Sequence, residues 1–300
     1  MNVYIGYTLL GQIIWGLLPL FWMLLQDISA FYILATRIVW SALFCYALII
    51  QKGLLPKLKA VTQCRHEWPY IAGACIMITL NWGTFIYAMT HQHILQSSLA
   101  YFINPIVVIL LGSLLFHEKL GKLQLLSIVF AMTGLGIAIF LFGQIPYISL
   151  IICGSWASYS LLKKKIQLNS QVSVFIESFS MVPLSLLFIG WSEWSGCGAA
   201  QVFHGWQYLL LPATGIVTAV PMLLFTAGLK GTPVTVSGIC MYLAPSISLI
   251  IGLLSGEPLT QPLLVTFIFT WIAVALYIAG IFNMIKKMKS NAQDTTISRS

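Results

Sequence analysis

The sequence predicts an all-α polytopic membrane protein whose ten transmembrane helices form two inverted five-helix repeats. Three observations lead to this fold class. The 300-residue chain is 59% hydrophobic and 7% charged, whereas soluble domains carry about 25% charged residues. Apolar stretches of about 20 residues, the length that crosses a ~30 Å hydrocarbon core, recur from one end to the other. A pattern around Pro105 returns 140 positions later, around Pro245.

Ten apolar stretches divide the chain. In lipid, their backbone polar groups can be satisfied only within helices, because the alternating pattern of barrel strands is absent. The first stretch has no basic n-region and no small-residue cleavage site, so it is predicted to be a retained helix and not a signal peptide. The predicted spans are Val3–Leu25, Ala30–Ile50, Trp68–Met89, Ile94–Phe116, Gly121–Leu141, Ile145–Leu162, Val172–Trp191, Trp206–Ala227, Pro233–Leu254 and Gln261–Phe282.

The distribution of basic residues predicts the orientation of these spans. Fourteen of the 15 Lys and Arg residues lie in the C-terminal tail or in loops that follow even-numbered spans, and the other, Arg37, lies inside the second span. By the positive-inside rule, these loops and both termini are cytoplasmic. Topology and contact with lipid headgroups therefore account for the net charge of +8, and no nucleic-acid partner is predicted.

The repeat is clearest in SSLAYFINPIVVILLGSLLFHEKL (residues 97–120) and SGICMYLAPSISLIIGLLSGEPL (residues 237–259). A helix break is expected at Pro105 and at Pro245, because proline lacks the backbone donor. Five spans per half is an odd number, so the halves cross the membrane in opposite directions. Inverted repeats with broken helices are typical of transporters, which bind solute near the midplane. The predicted units are residues 1–143, residues 144–284 and a disordered, basic cytoplasmic tail of residues 285–300.

Polar and aromatic side chains inside the spans are the candidates for a solute site. Tyr101 and Asn104 share one helix face, and Pro105 frees a carbonyl beside them. An asparagine can also serve only as an interhelical hydrogen bond, and a tryptophan can face lipid near an interface. The predicted cavity lining is Trp15, Asn81, Tyr101, Asn104, Tyr159 and Tyr242.

Two charged residues lie within spans at positions related by the 140-residue shift, Arg37 and Glu177. Ionisable groups are costly in a membrane and often mark solute or proton pathways, so both are predicted to act in gating or coupling. A lone Glu177 could carry a proton if desolvation raised its pKa. The alternatives are a structural pair or a snorkelling side chain for Arg37, and a polar anchor near the inner interface for Glu177.

No cofactor or metal is predicted. The six cysteines are scattered and are interpreted as small packing residues. His91 and His93 lack further ligands and are expected to be solvated. Glu118 and Glu257 each precede a predicted helix and are expected to interact with its dipole.

Several motifs resemble a known transporter family. The two segments that begin LLFHEKLGKLQ and LLSGEPLTQPL are similar to the EamA repeat of the drug/metabolite transporter superfamily. TRIVWS (residues 36–41), NWGTFIYAMTHQH (81–93), SLAYFINPIVVILLG (98–112), KKKI (163–166) and GIVTAVPMLLFTAGLKG (215–231) resemble its RarD branch. The resemblance implies a bacterial inner-membrane permease with alternating access. The branch is named for an association with chloramphenicol sensitivity, and the superfamily exports amino acids and other metabolites.

The predicted function is therefore that of a secondary transporter for a small organic solute, metabolite or drug-like. A membrane enzyme is disfavoured because the sequence has no HExxH motif, no GxSxG motif and no paired intramembrane carboxylates. The alternative is a passive channel or an assembly factor that transports nothing. The expected partners are the solute, membrane lipid and protons as coupling ion, in a monomer or homodimer.

Overall fold

The computed structural model describes residues 2–61, 65–90, 94–117, 120–142, 147–255 and 261–297. All regular secondary structure in these ranges is helical. Three short 3-10 turns, Met23–Leu25, Ala199–Gln201 and Gly205–Leu209, adjoin the longer helices. The α-helices are α1 (Asn2–Trp22), α2 (Ala30–Gln51), α3 (Leu55–Ala60), α4 (Trp68–Thr90), α5 (Ile94–Phe116), α6 (Lys122–Phe142), α7 (Tyr147–Lys165), α8 (Ser170–Trp194), α9 (Leu210–Gly231), α10 (Val234–Cys240), α11 (Leu243–Leu254) and α12 (Gln261–Ile297).

The prediction of an all-α membrane protein is confirmed for the described residues. Seven segments are long and apolar enough to cross a membrane: Val3–Leu25, Ala30–Gln51, Lys122–Leu141, Ser170–Gln201, Gly205–Gly231, Val234–Leu254 and Leu264–Asn283. A shorter apolar stretch, Ile103–Phe116, forms most of α5. Helices also occupy the other two predicted positions, α4 and α7. Of these two, α7 is the more polar, since it ends in three lysines.

The helices make extensive contacts across the two halves of the chain. From the first half, α1 packs against α9 and α11, α2 packs against α8 and α9, and α6 packs against α12. Both α4 and α5 pack against α7, and α5 also crosses α10. This last crossing is close, because a Cβ at Gly238 would lie 3.1 Å from the carbonyl oxygen of Pro105. Most of the interior therefore forms between the halves and not within either one.

The two predicted helix breaks have different structures. The helix α5 continues through Pro105, so the missing N–H removes a hydrogen bond without ending the helix. In the second half, α10 ends at Cys240 and α11 begins at Leu243. The Tyr242 amide there donates to the carbonyl of Ile239, a tighter i→i−3 hydrogen bond. Pro245 lies in the first turn of α11, where a backbone N–H would have no partner within the helix, so the missing donor costs little.

The last helix extends beyond the predicted span. The span was expected to end at Phe282, and residues 285–300 were expected to form a disordered tail. Instead, α12 continues to Ile297. Many residues beyond Phe282 are polar or charged, which fits a helix that leaves the apolar layer.

Candidate functional site

A buried ion pair between α7 and α8 is the most polar feature of the described interior. The Lys163 ammonium lies 2.6 Å from Oε1 of Glu177, and the side chains are 0% and 3% exposed. Lys163 also donates to the Ser173 hydroxyl at 2.6 Å. The other carboxylate oxygen, Oε2, accepts a hydrogen bond of 2.8 Å from the Tyr159 hydroxyl. Ser173 donates to Oε1 at 3.1 Å, so the carboxylate accepts from three side chains.

Helix geometry explains how these four side chains meet. Tyr159 and Lys163 are four residues apart on α7, and Ser173 and Glu177 are four residues apart on α8. Residues at this spacing lie on one helix face. The short connection of residues 166–169 turns the chain so that the two faces oppose each other. Burying two charges costs several kcal/mol per ion, and the added hydrogen bonds offset part of that cost.

Lys163 was missed as a site residue. Its place at the start of Lys-Lys-Lys led to its interpretation as part of a cytoplasmic loop, whereas the structure places it inside α7 and fully buried. The sequence contained a signal for this contact. Tyr159 and Lys163 before the short turn, and Ser173 and Glu177 after it, are polar pairs at the i, i+4 spacing. Glu177 is therefore paired and not the lone intramembrane acid that the sequence suggested.

An aromatic cluster adjoins the ion pair. Trp15 of α1 meets Trp156 of α7 with ring centroids 5.6 Å apart, and Phe225 of α9 lies within 5.6 Å of both. The Trp156 ring is also 5.6 Å from that of Tyr159, the tyrosine that donates to Glu177. Two of the predicted cavity residues, Trp15 and Tyr159, are therefore joined through Trp156. The indole N–H of Trp156 has no hydrogen-bond partner among the described residues.

A small cavity lies on the other side of Glu177. Its volume is about 10 Å³, close to the minimum that holds one water molecule. Trp82 of α4 and Thr218 of α9 help to line it. The Thr218 hydroxyl is buried and makes no hydrogen bond within the described part of the chain. The cavity thus offers one unused hydroxyl next to a charged residue.

Arg37 lies near this cavity, with Trp82 in contact with both. The guanidinium carbon is 5.0 Å from the centroid of the Trp82 ring, within cation–π range. Its Nε is buried without a hydrogen-bond partner in the described ranges. Tyr101 of α5 is 49% exposed, and its ring lies 6.2 Å from that of Phe85. Arg37 is therefore a cation held against an aromatic face without an ion-pair partner in this part of the molecule.

The remaining predicted lining residues lie elsewhere. The amide of Asn81 donates to the Ile152 carbonyl at 2.8 Å and to Ser155 at 3.2 Å, so it links α4 to α7. Asn104 is 8% exposed, and its Oδ1 is unpaired among the described residues. Tyr242 is 2% exposed within an apolar cluster, and its hydroxyl likewise has no partner in the described ranges. The structure does not bring all six predicted residues to one cavity.

Four further predicted residues cannot be placed. His91, His93, Glu118 and Glu257 lie outside the residues that the structure describes. Within the described ranges, no cluster of three or more His, Cys, Asp or Glu side chains could hold a metal ion.

Comparison with known proteins identifies the family. Residues 2–140 match the EamA-like transporter family. The uncharacterized transporter YojE of Bacillus subtilis is 37% identical over 275 residues, covering 90% of this chain and 92% of the relative. Protein RarD of Escherichia coli is 32% identical over 275 residues, with the same two coverages. The chain belongs to the RarD branch of the EamA-like transporter family. It is thus a multi-pass membrane protein, and relatives such as YojE are named as transporters.

A solved structure supports the fold of this EamA-family member. That crystal structure aligns with a TM-score of 0.71 over 92% of this chain and 97% of its own chain. The sequence identity is 16%, so the likeness concerns the fold alone.

Proposed function

We propose that this EamA-family protein is a secondary transporter that moves a small, partly apolar organic solute across a bacterial inner membrane by alternating access. The buried Lys163–Glu177 pair carries the proposal. Ionisable groups inside a membrane protein are expensive and typically belong to solute or proton pathways. Apolar side chains of similar volume would stabilise a purely structural bundle at least as well.

The pattern of helix contacts supports an alternating-access architecture of two five-span repeats. A shift of about half the chain relates α1 to α7, α4 to α9 and α5 to α10–α11. When each helix is replaced by its counterpart, the α1–α9 contact becomes the α7–α4 contact. In the same way, the α5–α7 contact becomes the α11–α1 contact. The α2–α8 and α6–α12 contacts correspond to themselves. A pseudo-two-fold axis between inverted repeats would produce this pattern.

The placement of loop residues supports the proposed topology with cytoplasmic termini. Lys52, Asn169 and Lys230, which follow or connect different spans, line one groove at the same end of the bundle. Near the end of α8, Glu193 accepts a hydrogen bond from the Tyr32 hydroxyl of α2. It also accepts one of 3.0 Å from the backbone N–H of Ala199. The groove-lining lysines lie at the ends of α2 and α9 that the positive-inside rule assigns to the cytoplasm.

For solute recognition, we propose that Arg37 binds an anionic or hydrogen-bond-accepting group. Its guanidinium already has an aromatic neighbour in Trp82 but no counter-ion among the described residues. The Trp15 and Tyr159 rings would contact a planar or apolar part of the solute. Tyr101, Asn104 and Tyr242 would join this lining when the helices move apart. The cavity of about 10 Å³ beside Glu177 would represent the closed state of this path.

The first experiment identifies the solute. Thermal unfolding of the purified protein is measured against amino acids, nucleosides and amphenicols, because a ligand that binds only the native state raises the midpoint by mass action. Reconstituted protein should then show saturable uptake that is accelerated by the same solute on the opposite side of the membrane. Uptake that neither saturates nor responds to counter-solute would indicate a passive channel instead.

The second experiment tests coupling at Glu177. In everted vesicles, Glu177→Gln should abolish the dependence of uptake on a pH gradient while solute exchange continues, since the amide cannot take up a proton. Glu193→Gln is the matched control, because Glu193 makes no contact with Lys163. It accepts hydrogen bonds from the Tyr32 hydroxyl and from the backbone N–H groups of Ala199 and Ala200. Gradient-driven uptake that is unchanged in Glu177→Gln would remove Glu177 from the coupling mechanism.

A further inference from the structure

A larger groove is lined by residues other than those of the cavity beside Glu177. Its volume is about 510 Å³, and it is bounded by α1, α2, α9 and the start of α8. The wall is largely apolar, with Phe44, Leu223 and Leu224 among the side chains that line it. At its polar end are Lys52, which directly follows α2, and Lys230, in the last turn of α9. The groove therefore has a cationic end and an apolar wall.

The cationic end has no carboxylate to neutralise it within the groove lining. The side chain of Lys52 makes no ion pair with another described residue. Lys230 donates to the Leu168 carbonyl, a neutral acceptor. Glu67 attracts Lys230 electrostatically but does not line the groove, and Lys163 repels it. Two positive charges thus share one opening.

Neutral polar groups complete this end of the groove. Asn169, Ser170 and Gln171 line it, and the helix α8 begins at Ser170. Ser170 is 8% exposed. The first backbone N–H groups of a helix have no partner within the helix, and the helix dipole favours an anion at this position. Hydroxyl, amide and ammonium donors therefore surround the same space.

We propose that this groove binds an anionic phospholipid, with the headgroup phosphate between Lys52 and Lys230 and one acyl chain along the apolar wall. The phosphate matches the charge and the donors, and the acyl chain matches Phe44, Leu223 and Leu224. Basic pockets between transmembrane helices on the cytoplasmic side are suited to anionic headgroups. A free phosphate would meet the same lysines but would make no contact with the apolar wall.

Native mass spectrometry of the delipidated full-length protein tests this site. Dioleoylphosphatidylglycerol should bind more tightly than dioleoylphosphatidylcholine, whose headgroup has no net charge. Each of Lys52→Gln and Lys230→Gln should weaken phosphatidylglycerol binding about 5-fold, and the double variant about 25-fold, taking about 1 kcal/mol for each lysine near an anionic headgroup. Lys52→Arg with Lys230→Arg should retain binding.

Lys57→Gln is the matched control, because Lys57 is exposed, lies in α3 and does not line the groove. It should leave the affinity unchanged. Glycerol phosphate and inorganic phosphate test the headgroup alone. Binding of either one as tight as that of the lipid would overturn the lipid assignment in favour of a soluble anion. Equal lipid affinity in wild type and double variant would overturn the site itself. If the double variant misfolds, the single variant Lys52→Gln tests the site, because the exposed Lys52 side chain is not needed for packing.

Discussion

Arg37 and Glu177 lie 140 positions apart, at equivalent points of the two halves, yet their surroundings are opposite. Glu177 accepts hydrogen bonds from Lys163, Tyr159 and Ser173. Arg37 has the face of Trp82 beside it and a buried Nε without a partner among the described residues. Two positions that the 140-residue shift aligns thus both carry a charge, but the two charges have different partners. We infer that Glu177 is held in a closed arrangement and that Arg37 is available for a ligand.

The largest expected effect comes from breaking the ion pair. Lys163→Met or Glu177→Leu alone should lower the free energy of unfolding by about 3–5 kcal/mol, because each leaves one buried charge unpaired. The double variant should recover most of this loss. Thermal unfolding in detergent, analysed as a double-mutant cycle, measures the coupling. Additive losses in the double variant would mean that the two charges do not stabilise each other.

The equivalent crossings α1–α9 and α4–α7 allow a second test. The 140-residue shift aligns Gly228 with Ala88 in the sequence. A Cβ at Gly228 would lie 2.9 Å from both the Thr8 amide nitrogen and the Tyr4 carbonyl oxygen. Gly228→Ala should therefore lower the free energy of unfolding by about 1–3 kcal/mol through overpacking. Gly154→Ala is the control, since nothing lies within 4 Å of its Cβ position. A Gly228→Ala protein as stable as the control would show that the crossing can relax.

The availability of Arg37 predicts a functional effect with little structural cost. Arg37→Gln should raise the KM for the transported solute about 10-fold, the loss of one charge-assisted hydrogen bond, while the free energy of unfolding changes by about 1 kcal/mol or less. Proteoliposome uptake and thermal unfolding measure the two quantities. Arg37→Lys, which retains the charge, should be intermediate. Normal uptake by Arg37→Gln would favour a snorkelling side chain.

The smallest effect is expected at Tyr242, a buried tyrosine whose hydroxyl has no partner in the described ranges. Tyr242→Phe should change the free energy of unfolding by less than about 0.5 kcal/mol, because no hydrogen bond is lost. Tyr159→Phe is the contrasting variant, since that hydroxyl donates to Glu177. Thermal unfolding compares them. Equal destabilisation by both changes would mean that the Tyr242 hydroxyl has a partner in the working protein.

The positions of the helices were predictable because lipid imposes a minimum apolar length and requires internal backbone hydrogen bonds. The same reasoning could not distinguish the two proline positions. Pro105 lies inside a continuous helix, whereas the helix is interrupted just before Pro245, between α10 and α11. Both prolines remove a donor, and whether the helix ends there depends on what the neighbouring helices pack against it. Proline content alone does not contain that information.

The candidate site was only partly predictable. Glu177 was predicted to act in gating or coupling and Tyr159 to line the cavity, because charged and hydroxyl groups are rare inside spans. The structure joins the two by a hydrogen bond, and their roles stay predictions. Lys163 was overlooked because a lysine at a helix end usually faces the headgroups. Asn81 was predicted to line a cavity, and the structure shows that its amide donates to the Ile152 carbonyl of α7. Residue type predicts that a polar group needs a partner but does not say which helix supplies it.

The amino-acid sequence by itself determined the membrane environment, the helical class and the family, because these follow from apolar length and from motifs along the chain. Only the tertiary structure decided that Lys163 neutralises Glu177, that Arg37 lies on Trp82, and that Lys52 and Lys230 share a groove. Those pairs join side chains from different helices. Their proximity depends on how the helices rotate and cross, which is set by packing throughout the bundle and not by any one segment.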